Sequence, residues 1–162
     1  MAEITLLVPC YNAVRYLPRL LESVAAQTEP FAASLFYDDG STDGTADFLR
    51  ARGLAVIGDR TNRGPAYARN RLLAAARGPW IHFHDADDLL EPAFVARMSE
   101  LLTPQVDVAV CQCDWVNEDD RRLEIAWRPD AEQLARDPVE SNLLQPCPLM
   151  ACVIRLSLLR EV

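Results

Sequence analysis

Apolar residues along this chain fall into two kinds of pattern. Short, nearly continuous apolar runs occur at EITLLV (3–8), SLFY (34–37), LAVIG (54–58) and PWIHFH (79–84). They read as strands buried on both faces. Between them the apolar positions take helical spacing. Leu17, Leu20, Leu21 and Val24 predict a helix over 16–27, with Pro18 tolerated in its first turn. Thr42 or Asp43 is placed to cap a second helix through Arg50, which Gly53 stops. The Ala-rich stretch 64–78 predicts a third helix closed by Gly78, and Pro9 is expected to end the first strand. Four strand–helix alternations predict an α/β fold, a mostly parallel sheet flanked by helices. After Glu91 the pattern predicts a helix over PAFVARMSELL and one long alternating strand over VDVAVCQCDW. A polar turn NEDDRR, a return strand RLEIAW, a poorly patterned helical stretch over 129–145 and an unassigned segment at 149–162 complete the expectation.

Composition narrows the picture. At 162 residues and 50% hydrophobic, the chain suits one domain with a real core. A net charge of −8 argues against a nucleic-acid partner. There is no lysine, which excludes a P-loop lysine and a Schiff-base lysine. The 5 cysteines include no Cys-x-x-Cys pair, so free thiols in a reducing, cytoplasmic setting are expected. The start, MAEITLLVPCYN, reads as neither a signal peptide nor a membrane span.

Three polar clusters follow strand ends, PCYN, DDGSTD and DADD, and a parallel sheet gathers such clusters on one rim. DDGSTDGTADFLR approaches an EF-hand loop, with acids or hydroxyls at Asp39, Ser41, Asp43 and Asp47. Arg50 stands where the bidentate glutamate belongs, and a strand, not a helix, precedes the loop. In DADD, Asp85 and Asp87 lie two apart on an extended chain and face one way, so both can approach a hard cation such as Mg²⁺ or Mn²⁺. The competing reading makes Asp87 or Asp88 the cap of the helix near Pro92. Asp39 can accept from the N3–H of uracil or serve as a turn residue, and Tyr11 can stack on a base or close a strand. His84 is either a plain strand residue or an outer support of a metal site. No Gly-x-Gly-x-x-Gly turn follows the first strand, which disfavours dinucleotide binding.

The segments VPCYN (8–12), QT (27–28), DDGSTDGT (38–45), NRGPAYARN (62–70) and ARGPWIHFHDADD (76–88), with Pro92, together resemble the family 2 glycosyltransferases of the GT-A fold. The resemblance covers the chain to about residue 115 and extends more weakly to 162. It implies one GT-A-type domain over 1–162, with 1–115 binding the nucleotide sugar and 116–162 beginning the acceptor side. It implies transfer of a sugar, often from UDP, to an acceptor hydroxyl on a glycan, a lipid-linked or another molecule, with inversion and dependence on Mn²⁺ or Mg²⁺. It implies nucleotide contacts from Pro9, Tyr11, Asn12, Asp38, Asp39, Asn62, Gly64, Arg69, Asp85, Ala86 and Asp87, and metal contacts from Asp85, Asp87 and Asp88. It also implies a cytoplasmic location, or a peripheral one at the inner membrane face through the acceptor. In the family the catalytic base follows a segment like VIRLSLLREV, so it is expected beyond Val162, with transfer by this chain weak or absent. Glu118, Asp119 and Asp120 are nearer acids, but they read as a solvated turn. The alternatives are a sugar-phosphate nucleotidyltransferase and a calcium-binding or structural α/β module.

Overall fold

The computed structural model describes residues 2–117, 122–137, 141 and 147–161. The chain divides into two compact units, residues 1–109 with 153–162, and residues 110–152. From edge to edge the main sheet orders the strands β3 (Ala55–Asp59), β2 (Ala33–Asp39), β1 (Ile4–Cys10), β4 (Trp80–Phe83), β8 (Cys152–Arg155) and β5 (Val108–Val110). β1 pairs in parallel with β2 and β4, β2 pairs in parallel with β3, and β8 runs antiparallel to β4. Helices α1 (Leu17–Ala25), α2 (Thr45–Arg50), α3 (Pro65–Ala75) and α4 (Phe94–Leu101) connect or follow these strands. The mostly parallel, helix-flanked sheet expected from the alternation is the fold that forms.

β1 is buried along nearly all its length, as a central parallel strand should be. Leu6, Val8, Leu17, Leu20, Phe36 and Leu49 form one core cluster between the sheet and α1 and α2. Contrary to expectation, Pro9 does not end β1. The strand continues to Cys10, with Pro9 opposite Tyr37. His84 N–H donates to the Leu7 carbonyl, so residue 7, and by alternation residue 9, faces the β4 side. β4 has ended by then, so the missing proline donor costs no ladder bond.

β2 likewise outruns SLFY and carries Asp38 and Asp39 as its last two residues, both buried. The second helix is capped differently from either expectation in detail. Gly44 holds the N-cap position, and the Asp43 carboxylate one residue earlier accepts from Thr45 N–H (3.0 Å) and Thr45 Oγ1 (2.6 Å). Neither Asp87 nor Asp88 caps α4. Its Val95 N–H is taken by Gln27 Oε1 at 3.1 Å, while Gln27 Nε2 donates to the Glu91 carbonyl at 2.9 Å.

In the second unit the expected long strand is broken at Cys111 and Gln112, giving the end of β5 and then β6 (Cys113–Val116). β6 pairs antiparallel with β7 (Arg122–Trp127), the expected hairpin. The helical stretch at 129–145 is represented by α5 (Ala131–Arg136), capped by the Asp130 side chain. The segment left unassigned becomes a 3-10 turn (Leu149–Ala151), β8 and α6 (Leu156–Arg160). All cysteines are free thiols, and Cys147 and Cys152 bring their sulfurs to 3.2 Å. Glu118, Asp119 and Asp120 lie outside the described residues. No described helix is long and apolar enough to cross a membrane.

Candidate functional site

A cavity of about 390 Å³ opens where β1, β2 and β4 end, the rim expected to collect ligands in such a sheet. Its walls include Pro9, Tyr11, Asp39, Asn62, Gly64, Arg69, Asp85, Ala86 and Asp87 from the residues singled out by sequence. Asn12, Asp38 and Asp88 are outside the walls. Cys10, Ala13, Tyr16, Pro65 and Ala68 line the cavity without having been anticipated. Cys10 and Ala68 are buried apolar neighbours of anticipated residues and carried no polar signal. Tyr16 sits at the N-cap of α1 and had read as the start of a helix.

The rim is built from two acidic loops. In the first, after β2, Asp39, Ser41, Asp43 and Thr45 are engaged with backbone N–H groups. Asp39 accepts from Arg63 N–H at 3.0 and 3.1 Å, one contact to each oxygen, and from Gly64 N–H at 2.8 Å through Oδ2. Ser41 Oγ accepts from Asn12 N–H (2.9 Å), and Asn12 Oδ1 accepts from Thr42 N–H (2.9 Å). Thr45 Oγ1 and Asp43 Oδ2 take the Ala13 and Val14 N–H groups at 2.8 and 3.0 Å. Asn12 adopts a left-handed backbone, φ 48°, tolerable for asparagine. Burial acts to raise the Asp43 pKa, but the bonds from Thr45 and Val14 outweigh it and hold the carboxyl below its usual range. Asp47 faces Arg50 at 3.6 Å, so the residue at the would-be twelfth calcium position pairs with the one at the ninth. With Asp43 committed to three donors, the calcium-loop reading fails on geometry as well as on sequence.

Gly40 is required where these loops meet. Its φ is 73°, and a Cβ there would sit 2.8 Å from the Asn62 nitrogen, closer than real contacts allow. Asp38 turns away from the cavity, and its Oδ1 is buried without a hydrogen-bond partner among the described residues.

The second loop, after β4, is less committed. Asp85 Oδ1 meets Arg69 Nη2 at 2.6 Å, a contact between α3 and the β4 end. Asp87 is exposed and Asp88 half-buried, and among the described residues neither side chain makes a hydrogen bond or ion pair. Burial, then the neighbouring charges of Asp87 and Asp85, push the Asp88 carboxyl up to about 6. Beneath the loop, His84 is almost fully buried, and burial lowers its pKa, which keeps the imidazole neutral. Its Nδ1 lies 3.3 Å from His82 Nε2.

The donor chemistry at 85–88 fits Mn²⁺ or Mg²⁺ held with a nucleotide, which needs only one or two carboxylates beside substrate phosphates. Asp88, raised by burial and then by the charges of Asp87 and Asp85, is a carboxyl whose charged form a divalent cation would favour. The described residues contain no ready cage of three or more metal-ligating side chains.

The profile of glycosyl transferase family 2 matches residues 5–162. This chain is a family 2 glycosyltransferase sequence. It is 34% identical over 154 residues to the succinoglycan biosynthesis protein ExoO of Rhizobium meliloti, covering 88% of this chain and 43% of that protein. It is 32% identical over 112 residues to a putative glycosyltransferase, EpsH, of Bacillus subtilis, covering 67% of this chain and 33% of that one. The chain therefore spans less than half the length of these relatives. Among solved structures, S. aureus TarS in complex with UDP superposes with a TM-score of 0.77 at 25% identity, over 99% of this chain and 48% of that one. A mannosyltransferase from Pyrobaculum calidifontis in complex with GDP-Man and Mn²⁺ gives 0.62 at 28% identity, over 67% and 35%. The family 2 chain thus has the GT-A fold, and its neighbours are nucleotide-sugar transferases.

Proposed function

We propose that this glycosyltransferase chain binds a UDP-sugar in the 390 Å³ cavity, for inverting, metal-dependent transfer of the sugar to an acceptor hydroxyl. The observation that carries the reading is the convergence of one acceptor-only carboxylate, one exposed aromatic ring and one acidic loop on the same cavity. Tyr11, about half exposed, stacks on the base, with Pro9, Asn62 and Gly64 around it. Among the described residues Asp39 Oδ1 accepts only one backbone N–H, and it keeps room for the N3–H of uracil, where cytosine would present a lone pair. Asn12 and Asp38 act from behind, Asn12 by fixing the 41–42 turn. Ribose and diphosphate lie along Asp85, Ala86 and Asp87, with Arg69 balancing charge on Asp85. Asp87 and Asp88 are the residues that would hold Mn²⁺ or Mg²⁺. When bound, the ion offsets negative charge on the diphosphate and on the departing UDP. The failure of Asp87 and Asp88 to cap α4 leaves them available for this role.

The acceptor is a glycan, lipid-linked or other hydroxyl, and the setting is the cytoplasm. Inversion follows if the acceptor oxygen attacks the anomeric carbon opposite the UDP while a base removes its proton. No described residue is assigned as that base. The TarS complex with UDP and the mannosyltransferase complex with Mn²⁺ support the donor class and the metal.

Calorimetry of UDP and CDP, with and without Mn²⁺, tests the assignment. The Asp39→Asn variant should lose about 1–3 kcal/mol of UDP binding, the cost of a buried acceptor turned donor. Asp87→Ala should bind UDP equally with and without Mn²⁺. Equal binding of UDP and CDP by the parent chain rejects the uracil reading. Undiminished Mn²⁺ enhancement in Asp87→Ala rejects the metal site.

A further inference from the structure

Behind the base end of the cavity lies a polar network that the sequence patterns did not single out. Tyr37, almost fully buried on β2, donates its hydroxyl to Asp59 Oδ2 at 2.9 Å. Tyr67, on the first turn of α3, donates to the same oxygen at 3.2 Å. Arg63 Nη1 donates to Tyr67 Oη at 3.1 Å, its guanidinium lies 4.8 Å from the centre of the Tyr67 ring, and its Nε is 4.0 Å from Asp59 Oδ2. Three contacts therefore draw the Arg63 side chain back toward Asp59 and Tyr67. Asn62 and Gly64, on either side of it, line the cavity, and Arg63 does not.

The backbone of Arg63 faces the other way. Its N–H and that of Gly64 hold the Asp39 carboxylate and set which oxygen keeps a spare lone pair. One residue thus joins two tasks: its main chain orients Asp39, and its side chain is held off the cavity. A guanidinium released here would sit next to an acidic acceptor of opposite charge. A bidentate pair with Asp39 would then occupy the lone pair that a base needs.

We propose that Asp59, with Tyr37 and Tyr67, is a positioning residue for base recognition, which retains the Arg63 cation so that the Asp39 carboxylate stays free to select the base. The inference rests on the reading of Asp39 as the uracil acceptor and extends it to why the carboxylate is available. The network predicts that base selectivity depends on residues that do not line the cavity, whereas binding of the diphosphate does not.

The test is the ratio of UDP to CDP affinity, measured by calorimetry with Mn²⁺ on the whole chain, beside the affinity of inorganic pyrophosphate with Mn²⁺. Asp59→Asn and, more gently, Tyr67→Phe are expected to lower the UDP:CDP ratio, by about tenfold for Asp59→Asn, the scale of one charged hydrogen bond. Pyrophosphate affinity should stay within twofold or so of the parent. In the double variant Asp39→Asn, Asp59→Asn, the ratio should fall no further than in Asp39→Asn alone, because both changes remove the same acceptor. A UDP:CDP ratio unchanged in both single variants overturns the proposal. So does a pyrophosphate affinity that falls in step with UDP, which would mark a merely structural role. Should Asp59→Asn not fold, Tyr67→Phe alone decides, since it removes one hydroxyl from a half-buried ring. A parent chain that does not distinguish UDP from CDP would sink the uracil reading and this proposal together. A parent that does, with variants that still do, would sink this one alone.

Discussion

The loops after β2 and β4 have similar composition, and the structure uses them in opposite ways. In residues 39–47 the acids are engaged: Asp39 by two backbone N–H groups, Asp43 by Val14 and Thr45, Asp47 by Arg50. In residues 85–88, among the described residues, only Asp85 has a cation, and Asp87 and Asp88 crowd one another with none. Acids spent on backbone donors make a fixed wall, whereas acids left with like-charged neighbours keep oxygens free, which is what the proposed cation role requires. Aspartate count alone does not distinguish a frame from a site. What distinguishes them is whether backbone donors lie within reach.

The contrast can be broken most sharply by ligand. UDP with Mn²⁺ at a hundredfold over Kd should stabilise the parent by about 2.7 kcal/mol in urea unfolding, and Ca²⁺ alone should add almost nothing. Equal stabilisation by Ca²⁺ alone would mean the first loop is a cation site after all. A smaller effect is expected within the frame. Asp43→Ala removes the partner of Val14 and Thr45 N–H and should cost about 1–2 kcal/mol, like the loss of a good N-cap. The pH dependence carries the sign of that bond. The Asp43 carboxyl is held below its ordinary 3.8, so its contribution is present above that pH and lost as pH falls through the lower folded value. Asp43→Ala should therefore flatten the acid limb of the stability curve, and an unaltered limb would show that the bond contributes nothing. The smallest change belongs to the open loop. Asp88→Asn should shift stability by less than about 1 kcal/mol, in the stabilising direction, because it removes one of three neighbouring charges near solvent. A loss comparable to that of Asp43→Ala would erase the distinction between the loops.

Much of this was legible along the chain, for identifiable reasons. The parallel core followed from apolar runs such as ITLLV, and the placement of Tyr11, Asp39 and Asp85 on one rim followed from strand ends, while Asn62 was implied only by the family resemblance. What escaped was settled by neighbours in space. Pro9 stays in β1 because β4 stops short of it, which only the register reveals. The apparent strand 106–115 divides at Cys111 and Gln112, because alternation reports facing but not partner. The cap of α4 comes from Gln27, some 68 positions away, where no local rule could look. The network at Asp59 escaped for the same reason, since Tyr37 and Tyr67 meet it from a strand and a helix.

The tight contact at Gly40 has a consequence for anyone who wishes to move this cavity elsewhere. Because the Asn62 nitrogen would stand 2.8 Å from any Cβ at that position, the chain after β2 and the chain after β3 are mated surfaces. They cannot be exchanged singly: a graft carrying only one of them would collide with a host side chain. The transplantable piece runs from Tyr37 to Tyr67 as a cassette, and its swapping between family members should succeed or fail as a whole.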